Sequence, residues 1–167
     1  MAGAALLPSE AAALRVDDAT LPEGEFGELL VRADEERKVP VTPELAGVLQ
    51  EWIDEASLKP GDLLFPGEHG GELSSSLYRR VWKQAREAVL TPDEVTAGLG
   101  ERVTSLRDSC LDAWLKAGVP AWGVAEWAGV SASWLALRYP HRFRLEDVDL
   151  DWGHLAEVMA LPDSLKR

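Results

Sequence analysis

Between Val103 and Tyr139 the chain carries three short apolar runs, and the residues that punctuate them limit how the segment folds. Gly118-Val119-Pro120 divides the first run from the second, and Gly129-Val130-Ser131 divides the second from the third. A glycine just past a helix end, with proline or serine opening the next, marks consecutive helices joined by tight turns. The spacing predicts a first helix from Thr104 or Ser105 to Gly118, with Leu106, Cys110, Ala113, Trp114 and Ala117 on its inner face. A second starts at Pro120 or Ala121 and stops at Gly129. The third, from about Ser131, presents Trp134, Leu135 and Tyr139 until Pro140 interrupts it.

Upstream, Ser9 before EAAALRV predicts a short helix to about Arg15, with Ser9 as its cap. FGELLVRA and RKVPV are strand-like runs joined by Asp34-Glu35-Glu36, a hairpin with an acidic tip. Thr42-Pro43-Glu44 starts a helix with Leu45, Val48, Leu49, Trp52 and Ile53 in one stripe. After LLFP and the glycines at 67, 70 and 71, the Ser74-Ser75-Ser76 run caps a helix to about Leu90. Its expected buried side is Leu77, Val81, Ala85 and Val89. Residues 91–100 form a connecting loop with room for a helical turn. The tail LEDVDLDWGHLAEVMAL is acidic and mostly helical in pattern, broken by Gly153. Trp52, Trp82, Trp114, Trp122, Trp127 and Trp134 all fall in amphipathic segments, and most are expected in the core.

The 167 residues fit one domain whose core needs neither disulfides nor a metal. With 46% hydrophobic and 28% charged residues, wholesale disorder is excluded. Cys110 is the only cysteine and cannot form an internal disulfide, and no apolar stretch is long enough for a membrane span. The expectation is a cytoplasmic protein with no membrane partner. Met1 to Leu7 is apolar without a basic flank, so no export signal is expected. His69, His141 and His154 lack metal-ligand spacing, and the glycines at 67–71 shape a turn rather than a phosphate cradle, so neither metal nor cofactor is expected.

A net charge of −12 opposes generic DNA binding, whose affinity comes largely from cations that displace phosphate counterions. Two local groups run against that balance. Arg79, Arg80, Lys83 and Arg86 fall within one helix, and Arg138, His141, Arg142 and Arg144 surround Tyr139. Each group is either a solvated helix face or a phosphate-contacting surface.

Four stretches together, LLPSEAAALRVDDATLPEGEFGELLV, RKVPVTPELAGVLQEWI, LFPGEHGGELSSSLYRRVWKQAREAVL and VTSLRDSCLDAWLKAGVPAWGVAEWAGVSASWLALRY, resemble the catalytic domain of tyrosine recombinases, the phage-integrase family, of an actinobacterial integrase-like type. The resemblance runs from about Leu6 to His141. It implies a mainly α fold with a small antiparallel β-sheet made by the hairpin and the LLFP stretch, an α+β domain over residues 1–145. Residues 146–167 then form an acidic helix or tail, part of the same domain or exchanged between subunits. In the family, two arginines, two further donors and a hairpin lysine surround a nucleophilic tyrosine. Arg107 matches the second arginine and Tyr139 the nucleophile. Leu7 stands in place of the first arginine, Thr104 in place of the first histidine, and Val130 in place of the His or Trp of the Gly-His box. Arg32 to Glu36 fill the hairpin without a lysine, and Lys38 would need a register shift to serve.

The reaction implied is attack of a tyrosine oxygen on a DNA phosphodiester, giving a 3′-phosphotyrosyl link and a released 5′-hydroxyl. Negative charge develops on the nonbridging oxygens, and each lost donor costs on the order of 10² to 10³ in rate. The leading expectation is a degenerate, catalytically inactive domain retained for DNA-associated or protein-protein regulatory binding. Its DNA-binding residues are Arg79, Arg80, Lys83, Arg86, Arg138 and Arg142, with Arg107 and Tyr139 vestigial. One alternative is residual strand cleavage, with Tyr139 as nucleophile and Arg107 as phosphate clamp. The other is a protein-interaction module with no DNA role, in which Leu155, Val158 and Met159 insert into a second copy or another protein. Arg107 also has a plain structural reading as an interhelical ion-pair residue.

Overall fold

The computed structural model describes residues 3–33, 35–67, 70–143, 151 and 153. Helix α1 (Pro8–Ala13) opens the chain. Its N-terminus is capped by Glu10, whose Oε2 accepts from the Leu7 amide at 2.7 Å, rather than by Ser9 as expected. A 3-10 turn over Val16–Asp18 leads into β1 (Ala19–Thr20), followed by β2 (Gly27–Arg32) and β3 (Glu36–Val41). The sheet is antiparallel in the order β1-β2-β3, with Leu29 opposite both Ala19 and Val39. Its third strand is therefore Ala19–Thr20 and not the LLFP stretch, of which Leu63 makes a lone bridge to Arg15. Two residues are too few for a period-2 pattern to show in sequence. Alternation in β3 turns Arg37, Val39 and Val41 inward and Glu36 and Lys38 outward.

Helix α2 (Pro43–Glu55) begins at Thr42, whose hydroxyl accepts from the Leu45 amide. It buries Ala46, Leu49 and Ile53, whereas Val48 and Trp52 of the expected stripe are exposed. Helices α3 (Ser75–Val89), α4 (Pro92–Thr96), α5 (Ser105–Lys116), α6 (Ala121–Ala128) and α7 (Ala132–Arg138) follow. Gly129 ends α6 in the left-handed conformation at φ +65°, and the Ser131 hydroxyl caps α7. Pro140 then closes α7 through a short 3-10 turn to Arg142. On α5 the inner face is Arg107, Cys110 and Leu111; Ala113 and Ala117 are exposed.

Two apolar clusters form the core. Leu29, Val31, Val39 and Val41 of the sheet pack with Leu6, Leu14, Leu49, Ile53 and Leu64. Cys110, Leu111, Val124, Ala128, Leu135 and Tyr139 make the second, with Ala5. Thus Ala4-Ala5-Leu6 is the seam between them, with Ala4 and Leu6 on one side and Ala5 on the other.

Two expectations about burial are corrected. Of the six tryptophans, most of them expected in the core, none is fully buried, and Trp122 is 70% exposed. Indoles here act at the boundary: Trp52 donates to the Leu64 carbonyl at 2.7 Å, and Trp114 meets Trp127 edge to face at 5.4 Å. Helix α3 buries no residue at all. Its half-buried residues are Leu77, Tyr78, Trp82 and Arg86, pinned by the Trp82 indole on the Gly100 carbonyl and Arg86 on the Val95 carbonyl. Tyr78, Trp82 and Arg86 each follow a stripe position by one residue, roughly a quarter of a turn around the helix, and Val81 and Val89 remain exposed. Among the described residues no helix is long and apolar enough to cross a membrane.

Candidate functional site

The tip of the β2–β3 hairpin, the start of α1 and the α6–α7 turn enclose an open cleft of about 1060 Å³. Leu7 and Val130 both line it, beside Glu10, Arg32, Glu35, Glu36, Arg37 and Glu126. The structure thus brings two of the three replaced positions together, presenting apolar side chains where donors were expected. Thr104 lies apart, on a second cleft against α3, and caps nothing with its hydroxyl. Neither Arg107 nor Tyr139 lines the first cleft.

Arg107 is buried behind it. Its guanidinium donates from Nη1 to the Ala5 carbonyl and from Nη2 to the Ala128 carbonyl at 2.6 Å, and Nη1 lies 3.6 Å from Glu10 Oε2. Burial holds its pKa down, opposed by the Glu10 charge. Glu10 is shared with Arg37, whose Nη2 donates to Oε1 at 2.7 Å while Nε donates to the Trp127 carbonyl at 2.9 Å. One carboxylate and two guanidiniums therefore join the N-terminal segment, β3 and the end of α6. Arg37 and Glu10 were not singled out by sequence. The available signals were Glu10 three residues after an N-cap, and an arginine on the inward register of β3, where it needs a buried partner. Lys38 sits on the opposite face of β3, paired at the surface with Glu28 at 2.8 Å.

Tyr139 is 4% exposed and belongs to the core around α5–α7. Its hydroxyl donates toward Asp108, at 3.2 Å to Oδ1 and 3.3 Å to the backbone oxygen. Burial, reinforced by the Asp108 charge, pushes its pKa up to about 12. Tyr139 and Arg107 are close enough to be electrostatically coupled, so the two matched residues do lie in one region. Their surroundings are a buried setting that raises the phenol's pKa and, for the guanidinium, donors that point at backbone oxygens.

The cations around Tyr139 are held by α5. Arg138 pairs with Asp108 at 3.0 Å, and Arg142 forms a two-pronged pair with Asp112 at 2.8 and 2.6 Å, joined by His141 at 3.0 Å. Hydrogen bonding from Arg142 brings the Asp112 pKa down to about 2 despite partial desolvation. Arg144 lies outside the described residues. On α3, Arg79 and Lys83 are exposed and, with Tyr78, Trp82, Arg86 and Arg102, line the second cleft, about 540 Å³ in volume. Lys83 makes a 3.8 Å pair with Glu87 at the surface. Arg80 is exposed on the same helix. Among the described residues no group of His, Cys, Asp or Glu is placed to hold a metal ion.

No family model matches the sequence, and no curated protein matches it. Solved structures do. The XerH site-specific recombinase in its pre-cleavage complex with difH substrate is 26% identical, with a TM-score of 0.64 over 90% of this chain and 43% of that one. The XerA recombinase is 19% identical, TM-score 0.64, over 94% of this chain and 53% of its own. The Tn1549 transposon integrase bound to transposon right-end DNA is 18% identical, TM-score 0.60, over 96% and 56%. The chain therefore spans about half the length of the recombinases it matches. From the antiparallel hairpin to the α5–α7 run that ends on Tyr139, this chain has the catalytic-domain fold of the tyrosine recombinases.

Proposed function

We propose that this chain is a recombinase-fold domain that no longer cleaves DNA and that binds it, weakly and through phosphate contacts, by α3. The observation that carries the reading is the internal use of Arg107. A phosphate clamp needs guanidinium donors aimed at an open site, and these are spent on the Ala5 and Ala128 carbonyls, with Glu10 as countercharge. The cleft where a phosphate would sit presents Leu7 and Val130 and a rim that includes Glu35, Glu36 and Glu126, which repels an anion. Arg79 and Lys83 on α3 keep exposed charge beside the second cleft. Arg138 and Arg142, each bound to an α5 carboxylate, add little to that surface. A buried free thiol at Cys110 suits a reducing compartment such as the cytoplasm.

A nicked suicide duplex tests the reading, because loss of the short fragment traps any 3′-phosphotyrosyl protein. The expected result is a mobility shift at low salt without a covalent adduct. An adduct on wild type that disappears in Tyr139→Phe would overturn it in favour of residual strand cleavage. A second reading, a protein-interaction module, is favoured by one feature, the uncovered apolar stripe of α3.

A further inference from the structure

The second cleft, between α3 and the loop that leads into α5, gathers more positive charge than its lining balances. Arg79 and Lys83 on α3 and Arg102 on the loop line it at exposed positions. Among the described residues Arg79 and Arg102 form no ion pair, and Lys83 has its 3.8 Å contact with Glu87. Arg86, half-buried on the same wall, donates from Nη2 to the Val95 carbonyl at 3.2 Å, while its buried Nε has no acceptor. Against these four cations the lining sets one carboxylate, Glu101. Like charges held so near repel one another, and an anion with several oxygens relieves that repulsion.

A phosphate alone leaves the rest of the lining unused. Tyr78 and Trp82 stand one turn apart on the α3 wall. The Trp82 indole is held in one orientation by its 2.9 Å bond to the Gly100 carbonyl. Gly100 packs closely on that ring, since a Cβ there would come within 3.3 Å of Trp82 Cζ2. A ring already fixed in place loses little freedom when a ligand stacks on it. The hydroxyls of Tyr78 and Thr104, both on the lining, have no hydrogen-bond partner among the described residues. Aromatic wall, hydroxyls and clustered guanidiniums match a heterocyclic base joined through a sugar to phosphates. At about 540 Å³ the cleft falls within the roughly 300–1,000 Å³ of small-molecule sites.

We propose that this cleft binds a free nucleoside di- or triphosphate, with the phosphates on Arg79, Lys83 and Arg102 and the base against Tyr78 and Trp82. The site itself is independent of the DNA reading above. What rests on that reading is a competition: the two ligands share Arg79 and Lys83, so the nucleotide displaces DNA.

Equilibrium dialysis of the full chain against labelled ADP at low salt tests the site, with unlabelled ADP, pyrophosphate and adenosine as competitors. One ADP per chain is expected, and pyrophosphate or adenosine should compete at least tenfold more weakly than ADP, because each fills one half of the cleft. Arg102→Glu, an exposed change off the helix, is expected to weaken ADP tenfold or more, and Tyr78→Leu, which keeps an apolar side chain on α3, by about tenfold. Lys116→Glu makes the same charge reversal at an exposed position outside the cleft and is expected to leave ADP binding unchanged. No retained ADP, pyrophosphate competing as well as ADP, or equal losses in Arg102→Glu and Lys116→Glu would overturn the proposal. ADP retained by a chain that gives no DNA shift leaves the site standing and sinks the DNA reading. A DNA shift from a chain that retains no ADP does the reverse, and both ligands bound without competition would overturn the shared cations.

Discussion

Arg107 matches a catalytic position, but its surroundings make it a tie between chain segments. Replacing it with alanine removes the donors to two backbone carbonyls and one of the two cations that face the buried Glu10 carboxylate. The expected cost is about 3–5 kcal/mol, the range for breaking a buried charged network by deleting one member. Urea denaturation of Arg107→Ala measures it. A loss below about 1 kcal/mol is what an arginine free in an open cleft would give, and would contradict the tie. Asp112 offers a pH-dependent counterpart. Its pKa, depressed to about 2 when folded, adds stability that is present above the usual carboxylate pKa near 4 and lost as pH falls through 2. Because the side chain is a third exposed, the contribution is discounted to about 1 kcal/mol. Asp112→Asn is therefore expected to be less stable than wild type by that amount at pH 7, with the two curves converging toward pH 2. At this scale the sequence named Arg107 and Tyr139 and the replacements at Leu7, Thr104 and Val130. It did not show that Arg107 faces inward, because orientation depends on Ala5 and Ala128, carbonyls that only the folded chain brings near.

The α6–α7 turn shows how an element boundary places a site. Gly129 adopts φ +65°, and a Cβ there would meet the Arg37 guanidinium carbon at 3.1 Å. Alanine at this position must accept left-handed strain and displace Arg37 from Glu10 and the Trp127 carbonyl. Gly129→Ala is expected to lower stability by about 2 kcal/mol, whereas Gly24→Ala, also at positive φ with nothing within 4 Å, carries the backbone strain alone. The difference between their melting temperatures reads the Arg37 contact directly. These boundaries were legible because glycine, proline, serine and threonine act locally: Thr42, Ser74 and Ser131 cap helices at or beside the expected starts. Burial was less legible. Periodicity locates an apolar stripe but not what packs on it, so α3 was expected to bury the stripe that it exposes, and α2 buries Ala46 rather than Val48 or Trp52. Strand β1 escaped notice because two residues carry no period, and their pairing is set by β2 beside them.

Across the whole molecule the electrostatics divide into unlike regions. Arg138, His141 and Arg142 are answered by Asp108 and Asp112, the hairpin cleft is rimmed by glutamates, and exposed cationic charge gathers on α3. A net charge of −12 repels DNA at long range, so the proposed binding through α3 must rest on short-range release of counterions. With two to four phosphates neutralised, log K is expected to fall with log salt at a slope of roughly −2 to −4. Binding detectable at low salt would then be lost well before physiological ionic strength. Arg79→Glu combined with Lys83→Glu removes two contacts and adds two repulsions; since α3 buries nothing, the fold should hold, as circular dichroism would check. The low-salt shift is expected to vanish. The same reversal at Arg138 and Arg142 has a different signature, loss of stability through Asp108 and Asp112. A salt series with the α3 double variant unchanged from wild type would move the DNA surface off α3 and leave its apolar stripe as a protein-docking face alone.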